Sequence, residues 1–171
     1  RDRINAVYGS GGIEALKETV SALLGIPIDH YMTVNIRAFK ALVDAVGGID
    51  FYVPCDMDYD DSTPGQELYI HYKEGMQHLN GQQALEVVRF RHNNDGSGYT
   101  DVGRTQTQQK MLTAIAKKVL SWSSLSLFNN FVDIFTQNVK TDLSATDIAW
   151  FATQAVGVDF STGVSTGTLP G

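Results

Sequence analysis

The 171 residues are 43% hydrophobic and 19% charged, an ordinary globular composition that fits one domain over residues 1–171. The formal net charge of −6 excludes the broad basic face that nucleic acid or an anionic membrane surface calls for as a general partner. That acidity is local: between residues 40 and 75, Asp44, Asp50, Asp56, Asp58, Asp60, Asp61, Glu67 and Glu74 stand against Lys40 and Lys73 alone, which leaves the rest neutral and an arginine pocket feasible.

From Gly12 to Gly25 the spacing of Ile13, Leu16, Val20, Leu23 and Leu24 predicts a helix closed by glycine, preceded by a flexible turn at "YGSGG". "YMTVNI" (31–36) reads as a short buried strand, and "RAFKALVDAVGG" as a helix with Phe39, Leu42, Val43 and Val46 inward. "IDFYVP" (49–54) is a second strand, so strand, helix and strand predict a right-handed crossover. Cys55 is the sole cysteine; after Pro54 it reads as a small half-buried side chain rather than a catalytic thiol.

Residues 56–67, "DMDYDDSTPGQE", predict a hairpin with an acidic tip leading to "LYIHY". Asp56, Asp58, Asp60 and Glu67 imitate a calcium loop, but Asp61 occupies the position that needs glycine and Pro64 interrupts the second half. Asn80 is a natural cap for "GQQALEVVRF", a helix carrying Arg89 and Arg91 near its end. Arg89 and Arg91 share a direction only if the helix ends or unwinds there.

"HNNDGSGY" reads as a mobile connection able to close over a ligand. Thr100 or Asp101 then caps a long helix with Met111, Leu112, Ile115 and Val119 as its stripe. "SLFNNFVDIFTQN" and "SATDIAWFATQAVG" are amphipathic, and the tail from Val158 alternates like a strand. No 18-residue apolar run or signal-peptide core occurs, so the expectation is a chain cut at both ends with any membrane anchor outside it.

Arg89, Arg91 and Arg104 bracket a stretch without apolar residues, and Gln108 lies one helical turn beyond Arg104. Forked, permanently charged side chains near a helix start suit phosphate or carboxylate oxygens. On charge pattern alone the alternative is solvated arginines paired with Glu86, Asp95 and Asp101. His30, His71, His78 and His92 lack zinc-ligand spacing, and no G-x-S-x-G elbow occurs.

"LLGIPIDHYMTVNIRAFKALVDAVGGIDFYVP", "YKEGMQHLNGQQALEVVRFR" and "DVGRTQTQQKML" together resemble the LytR-CpsA-Psr family of bacterial cell-wall assembly proteins, from about Arg3 to Leu120. The resemblance implies an α/β domain with a central mixed sheet flanked by helices on both faces. It also implies a phosphotransferase that moves an anionic glycopolymer, such as a teichoic acid or capsular polysaccharide, from a polyprenyl pyrophosphate carrier to peptidoglycan outside the membrane. Arg89 and Arg91 match the family's paired pyrophosphate-binding arginines, Arg104 and Gln108 its arginine and glutamine of the next helix, and Arg3 a basic residue facing the same head group. Asp101 matches an acidic turn position that either orients an arginine or acts as base.

The family's cofactor is Mg2+ (or Mn2+), for which Asp2 is the candidate ligand if Arg1-Asp2 is a remnant of the metal motif. Thr107 departs from the pattern where a basic residue is common, weakening the electropositive rim. In the family, apolar residues such as Leu85, Val88, Phe90, Leu112, Ile115, Phe128, Phe131 and Phe135 line a channel for the polyprenyl tail; an ordinary core uses the same residues. The other readings are a binding or tethering module for polyprenyl-linked polymers and a polyprenyl-glycan pyrophosphatase.

Overall fold

The computed structural model describes residues 4–98, 101–121 and 125–155. In chain order the described elements are helix α1 (Ile4–Leu24), strand β1 (Met32–Thr33), α2 (Ile36–Ala45), β2 (Ile49–Val53), β3 (Met57–Asp61), β4 (Leu68–Tyr72) and β5 (Gly75–Leu79). They continue with α3 (Gly81–Arg89), α4 (Asp101–Leu120), α5 (Leu125–Asn138), β6 (Lys140–Thr141) and α6 (Ala145–Ala155). The α/β class expected from the sequence is what forms, with the described strands in small antiparallel sheets where one central mixed sheet was expected. The predicted tail strand from Val158 lies outside the described residues, as do Arg3 and Asp2.

The described strands pair antiparallel in three two-stranded sheets: β1 with β6, β2 with β5 and β3 with β4. The crossover expected between residues 31 and 54 is therefore not made, because β1 and β2 belong to different sheets. The reason is local. β1 has two residues before Asn35 caps α2 by accepting the Ala38 amide at 2.8 Å, so the strand has no length for a long ladder. β2 instead meets β5, with Ile49 opposite Leu79 and Val53 opposite Gly75, and the acidic hairpin β3–β4 is an excursion between them. The helix expected from Gly12 starts earlier, at Ile4, so "YGSGG" is helical up to a backbone break at Gly12.

The core forms where these pairs meet α3 and α4. Val43, Ile49, Phe51, Val53, Met57, Ile70, Leu79, Ala84, Val87, Phe90, Met111, Ile115 and Val119 are all buried in it. Met111, Ile115 and Val119 recur every four residues, so one stripe of α4 packs inward. Thr107 extends that stripe by a turn: it is buried, with its hydroxyl donating to the Gly103 carbonyl at 3.0 Å. It thus belongs to the inner face of α4 rather than to an electropositive rim. The stretch contributing Leu85, Val88, Phe90 and Ile115 is packed core, whereas Leu112 is exposed.

Helices α2 and α3 are locked at a close approach. The Gly81 amide donates to Asp44 Oδ1 at 2.7 Å, and a Cβ at Gly81 would stand 2.4 Å from the Lys40 carbonyl and 2.8 Å from the Asp44 carboxylate. Asn80 and Gln83 close a reciprocal capping box, Asn80 Oδ1 accepting the Gln83 amide at 3.0 Å and Gln83 Oε1 accepting the Asn80 amide at 2.9 Å. Tyr72 donates its hydroxyl to Glu86, which ties β4 to the outer side of α3; burial, with the Glu86 bond added, pushes the Tyr72 phenol up.

The β3–β4 hairpin sorts its residues by parity. Met57, Tyr59 and Asp61 face inward, while Asp58 and Asp60 face out, where His71 bridges them through Nδ1 to Asp58 at 2.8 Å and Nε2 to Asp60 at 3.0 Å. The Asp58 hydrogen bond, helped by the Asp60 charge, raises the His71 pKa above its ordinary value of about 6.5.

Gly81→Ala should lower stability by about 1–3 kcal/mol in urea unfolding, since the methyl group must displace either backbone or a hydrogen-bonded carboxylate. An NMR titration of His71 should give a pKa above that of a histidine peptide, falling back toward it in Asp58→Asn. Because the folded value is the raised one, the bridge steadies the hairpin fully below about pH 6.5 and its contribution fades as pH climbs through the folded pKa.

Candidate functional site

The site begins with the way α3 ends. Phe90 follows the last helical residue with φ −56° and ψ 138°, an extended conformation, and its ring is buried in the core. In a continuing helix, residues 89 and 91 would point roughly 200° apart. With Phe90 extended and inserted, its two neighbours fall on the opposite side together, as in a strand. Arg89 and Arg91 are both exposed and both line one cleft. The unwinding on which a shared direction of the two arginines depends thus coincides with the burial of one aromatic ring.

Gly98 permits that insertion from above. It has φ 121°, and a Cβ there would stand 3.0 Å from the His92 Cα and 3.3 Å from the Phe90 ring, so the loop lies directly over the ring. The loop itself is held down. Asn93 Oδ1 accepts the Asp58 amide at 2.7 Å, Asn94 Oδ1 accepts the Asp60 amide at 2.9 Å, and the Asn94 amide donates to the Asp58 carbonyl at 3.2 Å. Two asparagine side chains therefore satisfy the outer edge of β3 as a short extra strand would. Within the connection "HNNDGSGY", expected to be mobile, Asn93 and Asn94 stitch the chain to the hairpin, because their side chains match the strand's amide spacing.

α4 brings the third arginine. Arg104 lies in its first turn, and Gln108 one turn later; both line the same cleft as Arg89 and Arg91. Gln108 Nε2 donates to the Val88 carbonyl at 3.1 Å, one of the acceptors left without a helical partner when α3 stops. Helix α4 is thereby registered against the end of α3. Asp101 is the first residue of α4, and the position of its side chain lies outside the described residues.

The cleft has a volume of about 550 Å3. Its one wall is the end of α3 with Arg89, Arg91 and His92, its roof the start of α4, and its other wall the hairpin with Tyr59, Asp61, Gln66 and Leu68. Neither Arg89 nor Arg91 has an ion-pair partner among the described residues. Two of the carboxylates that might have paired with them are engaged elsewhere: Glu86 with Tyr72 and with Gln82 at 2.8 Å, and Asp95 with the Ser97 hydroxyl at 2.6 Å and amide at 2.8 Å. The arrangement supplies forked donors to an anion in a partly enclosed space.

The hairpin side of the cleft, with Tyr59, Asp61 and Gln66, and the neighbouring His92 are what the sequence did not reveal as site residues. In the sequence Asp61 reads only as the residue that spoils a calcium loop, yet strand parity with the inward-facing Met57 places it on the side of the core and cleft. Among the described residues no group of three or more His, Cys, Asp or Glu side chains is placed to hold a metal ion, and Asp61 is the cleft's one described carboxylate. These residues alone do not complete the oxygen set of a magnesium site. Burial pushes the Cys55 thiol up, which suits packing and not nucleophilic chemistry. No described helix is long and apolar enough to cross a membrane.

The LytR_cpsA_psr family model matches residues 1–171. The chain is 37% identical over 147 residues to the polyisoprenyl-teichoic acid–peptidoglycan teichoic acid transferase TagV of Bacillus subtilis (strain 168), covering 86% of this chain and 37% of that protein. It is 38% identical over 143 residues to the transferase TagU of Bacillus mycoides (strain KBAB4), covering 84% of this chain and 43% of that one. The crystal structure of B. subtilis TagV superposes with a TM-score of 0.75 at 34% identity over 91% of this chain and 57% of its own. A structure of TagT bound to LIIa-WTA superposes with a TM-score of 0.67 at 25% identity over 92% of this chain and 56% of its own. The chain thus spans less than half the length of these two curated relatives.

Phe90→Ala should cost roughly 3–5 kcal/mol in urea unfolding, as for other large aromatic truncations in packed cores. A loss below about 1 kcal/mol would show that the ring does not hold the α3 terminus.

Proposed function

The chain belongs to the LytR_cpsA_psr family, and from that premise we propose that its cleft binds the pyrophosphate of a polyprenyl-linked anionic glycopolymer and transfers the glycosyl phosphate to a peptidoglycan hydroxyl. The observation that carries the reading is the convergence of Arg89, Arg91, Arg104 and Gln108 on one cleft in a chain whose net charge is −6. The relatives named as teichoic acid transferases support it.

In this reading the acceptor hydroxyl oxygen attacks the phosphorus that carries the sugar. A new P–O bond forms to the acceptor, the bond to the bridging oxygen breaks, and polyprenyl phosphate leaves with the electron pair. Such a transfer needs positioning and charge stabilisation more than a covalent nucleophile. Arg89 and Arg91 bind the non-bridging oxygens side by side, and Arg104 opposes the charge that develops on the leaving phosphate. Gln108 holds the end of α3 in place through the Val88 carbonyl. Arg3 adds a positive charge to the same head group, and Asp101 either orients an arginine or takes the hydroxyl proton.

A Mg2+ or Mn2+ ion belongs to the proposal, with Asp2 as its candidate ligand; when bound it neutralises charge on the pyrophosphate. The setting is the outer face of the cytoplasmic membrane, through an anchor outside this chain. Water in place of the sugar hydroxyl would make the same site a pyrophosphatase.

The test incubates the full-length protein with magnesium, a polyprenyl pyrophosphate-linked glycan and peptidoglycan fragments, and seeks the phosphodiester-linked product by mass spectrometry. Arg89→Ala and Arg91→Ala should each slow transfer by about 10²–10³-fold, the usual consequence of losing one preorganised donor. EDTA should stop the reaction and Mg2+ or Mn2+ should restore it. Binding of the glycolipid without product would instead mark a tethering module, and full activity in both arginine variants would sink the site assignment.

A further inference from the structure

The cleft has a second wall for which the arginines do not account. Asp61 ends the inward row of β3, half-buried, and Oδ1 accepts the Thr63 amide at 2.9 Å. Hydrogen bonds from the Thr63 side chain and then its backbone hold the Asp61 carboxyl below the usual carboxylate range. The group is therefore an anion at neutral pH. Although it shares a cleft with three arginines, it has no ion-pair partner among the described residues. The positive and negative sides of the cleft stand apart, with space between them.

Phosphate oxygens are repelled by a carboxylate, so the anionic part of a ligand sits against the arginines and Asp61 is left to accept from a group with protons to donate. Gln66, exposed on the same wall, adds an amide that both donates and accepts. Tyr59 and His92, also in the cleft, meet edge to face with centroids 5.7 Å apart and supply ring surface beside these polar groups. A carboxylate, a carboxamide and aromatic surface together match a sugar ring, which offers hydroxyl donors at its rim and C–H groups on its face. A volume of about 550 Å3 lies within the range of pockets that enclose drug-sized ligands, so it holds more than two phosphates.

We propose that the hairpin wall is a sugar-hydroxyl subsite in which Asp61 accepts from ring hydroxyls and Gln66 donates to or accepts from a neighbouring one. This rests on the pyrophosphate reading of the opposite wall. The sugar has two possible sources, the residue attached to the donor pyrophosphate or the residue of the acceptor glycan. Asp61 acts here by positioning: a carboxyl held at low pKa is a weak base, but a strong hydrogen-bond acceptor.

The experiment compares Asp61→Asn and Gln66→Ala in the full-length protein. Asp61→Asn keeps an oxygen for the Thr63 amide and so preserves the turn. Three quantities are read: the Kd for polyprenyl pyrophosphate without sugar, the Kd for its sugar-linked form, and the KM for peptidoglycan fragments. The expected result in Asp61→Asn is about tenfold or greater weakening toward one sugar-bearing partner, the loss typical of a charge-assisted hydrogen bond, while sugar-free lipid binds as before or more tightly. Weakening of the sugar-linked lipid alone identifies the donor residue; a raised KM alone identifies the acceptor. Equal weakening with and without sugar, or no change in any of the three, overturns the proposal. Arg89→Ala is measured alongside: if it leaves the sugar-free lipid bound as tightly as before, the pyrophosphate reading fails, whatever the hairpin variants show.

Discussion

The burial of the Phe90 ring is the constraint on which the functional end of this molecule depends. A helix cannot place residues two apart on one side, and a strand cannot help doing so. By leaving helical geometry at Phe90 and driving its ring into the core, the chain changes periodicity at the one position where this turns Arg89 and Arg91 to the same cleft. The stabilisation comes from removing an aromatic surface from water; the alignment of the cations is its by-product. Gly98 above the ring and Gln108 bound to the Val88 carbonyl then protect the arrangement from both sides.

That geometry also explains how an acidic chain supports an anion site. Charge acts locally when the partners are close and partly enclosed, and distant carboxylates are screened within about 8–10 Å in physiological salt. Here two nearby carboxylates, Glu86 and Asp95, are engaged by Tyr72, Gln82 and Ser97, which keeps them from neutralising the arginines. The acidic hairpin is similarly ordered. Its outward aspartates are bridged by His71, and its inward one faces the cleft. A single strand thus distributes its carboxylates between structure and site by parity alone.

The elements with strong periodicity or capping chemistry were legible: the α2 helix, the α3 helix with its Asn80 cap, the long α4, and the hairpin around Pro64-Gly65; the Asn35 cap of α2 was hidden inside a stretch that reads as strand. β5 and β6 were not. "GMQHL" carries too little apolar alternation, and "KT" too little length, so each becomes a strand only because a partner edge is available. The contacts of Asn93 and Asn94 were hidden for a related reason. Asparagine, glycine and serine signal a turn, but nothing local shows that two asparagine side chains will meet the amides of a strand more than thirty residues earlier.

By itself, the sequence determined the α/β class, the Asn80 cap, the stripes of the principal helices, and the identity of the cations, because these follow from short-range spacing and residue chemistry. It also set the condition that the arginine helix must end before Arg91, without saying whether it would. Only the tertiary structure decided that, since the ring of Phe90 has a place to go only when β3, β4, α3 and α4 have assembled a core to receive it. The same assembly turned Thr107 inward and set Asp61 across from the arginines, positions that depend on which face of each element the core claims.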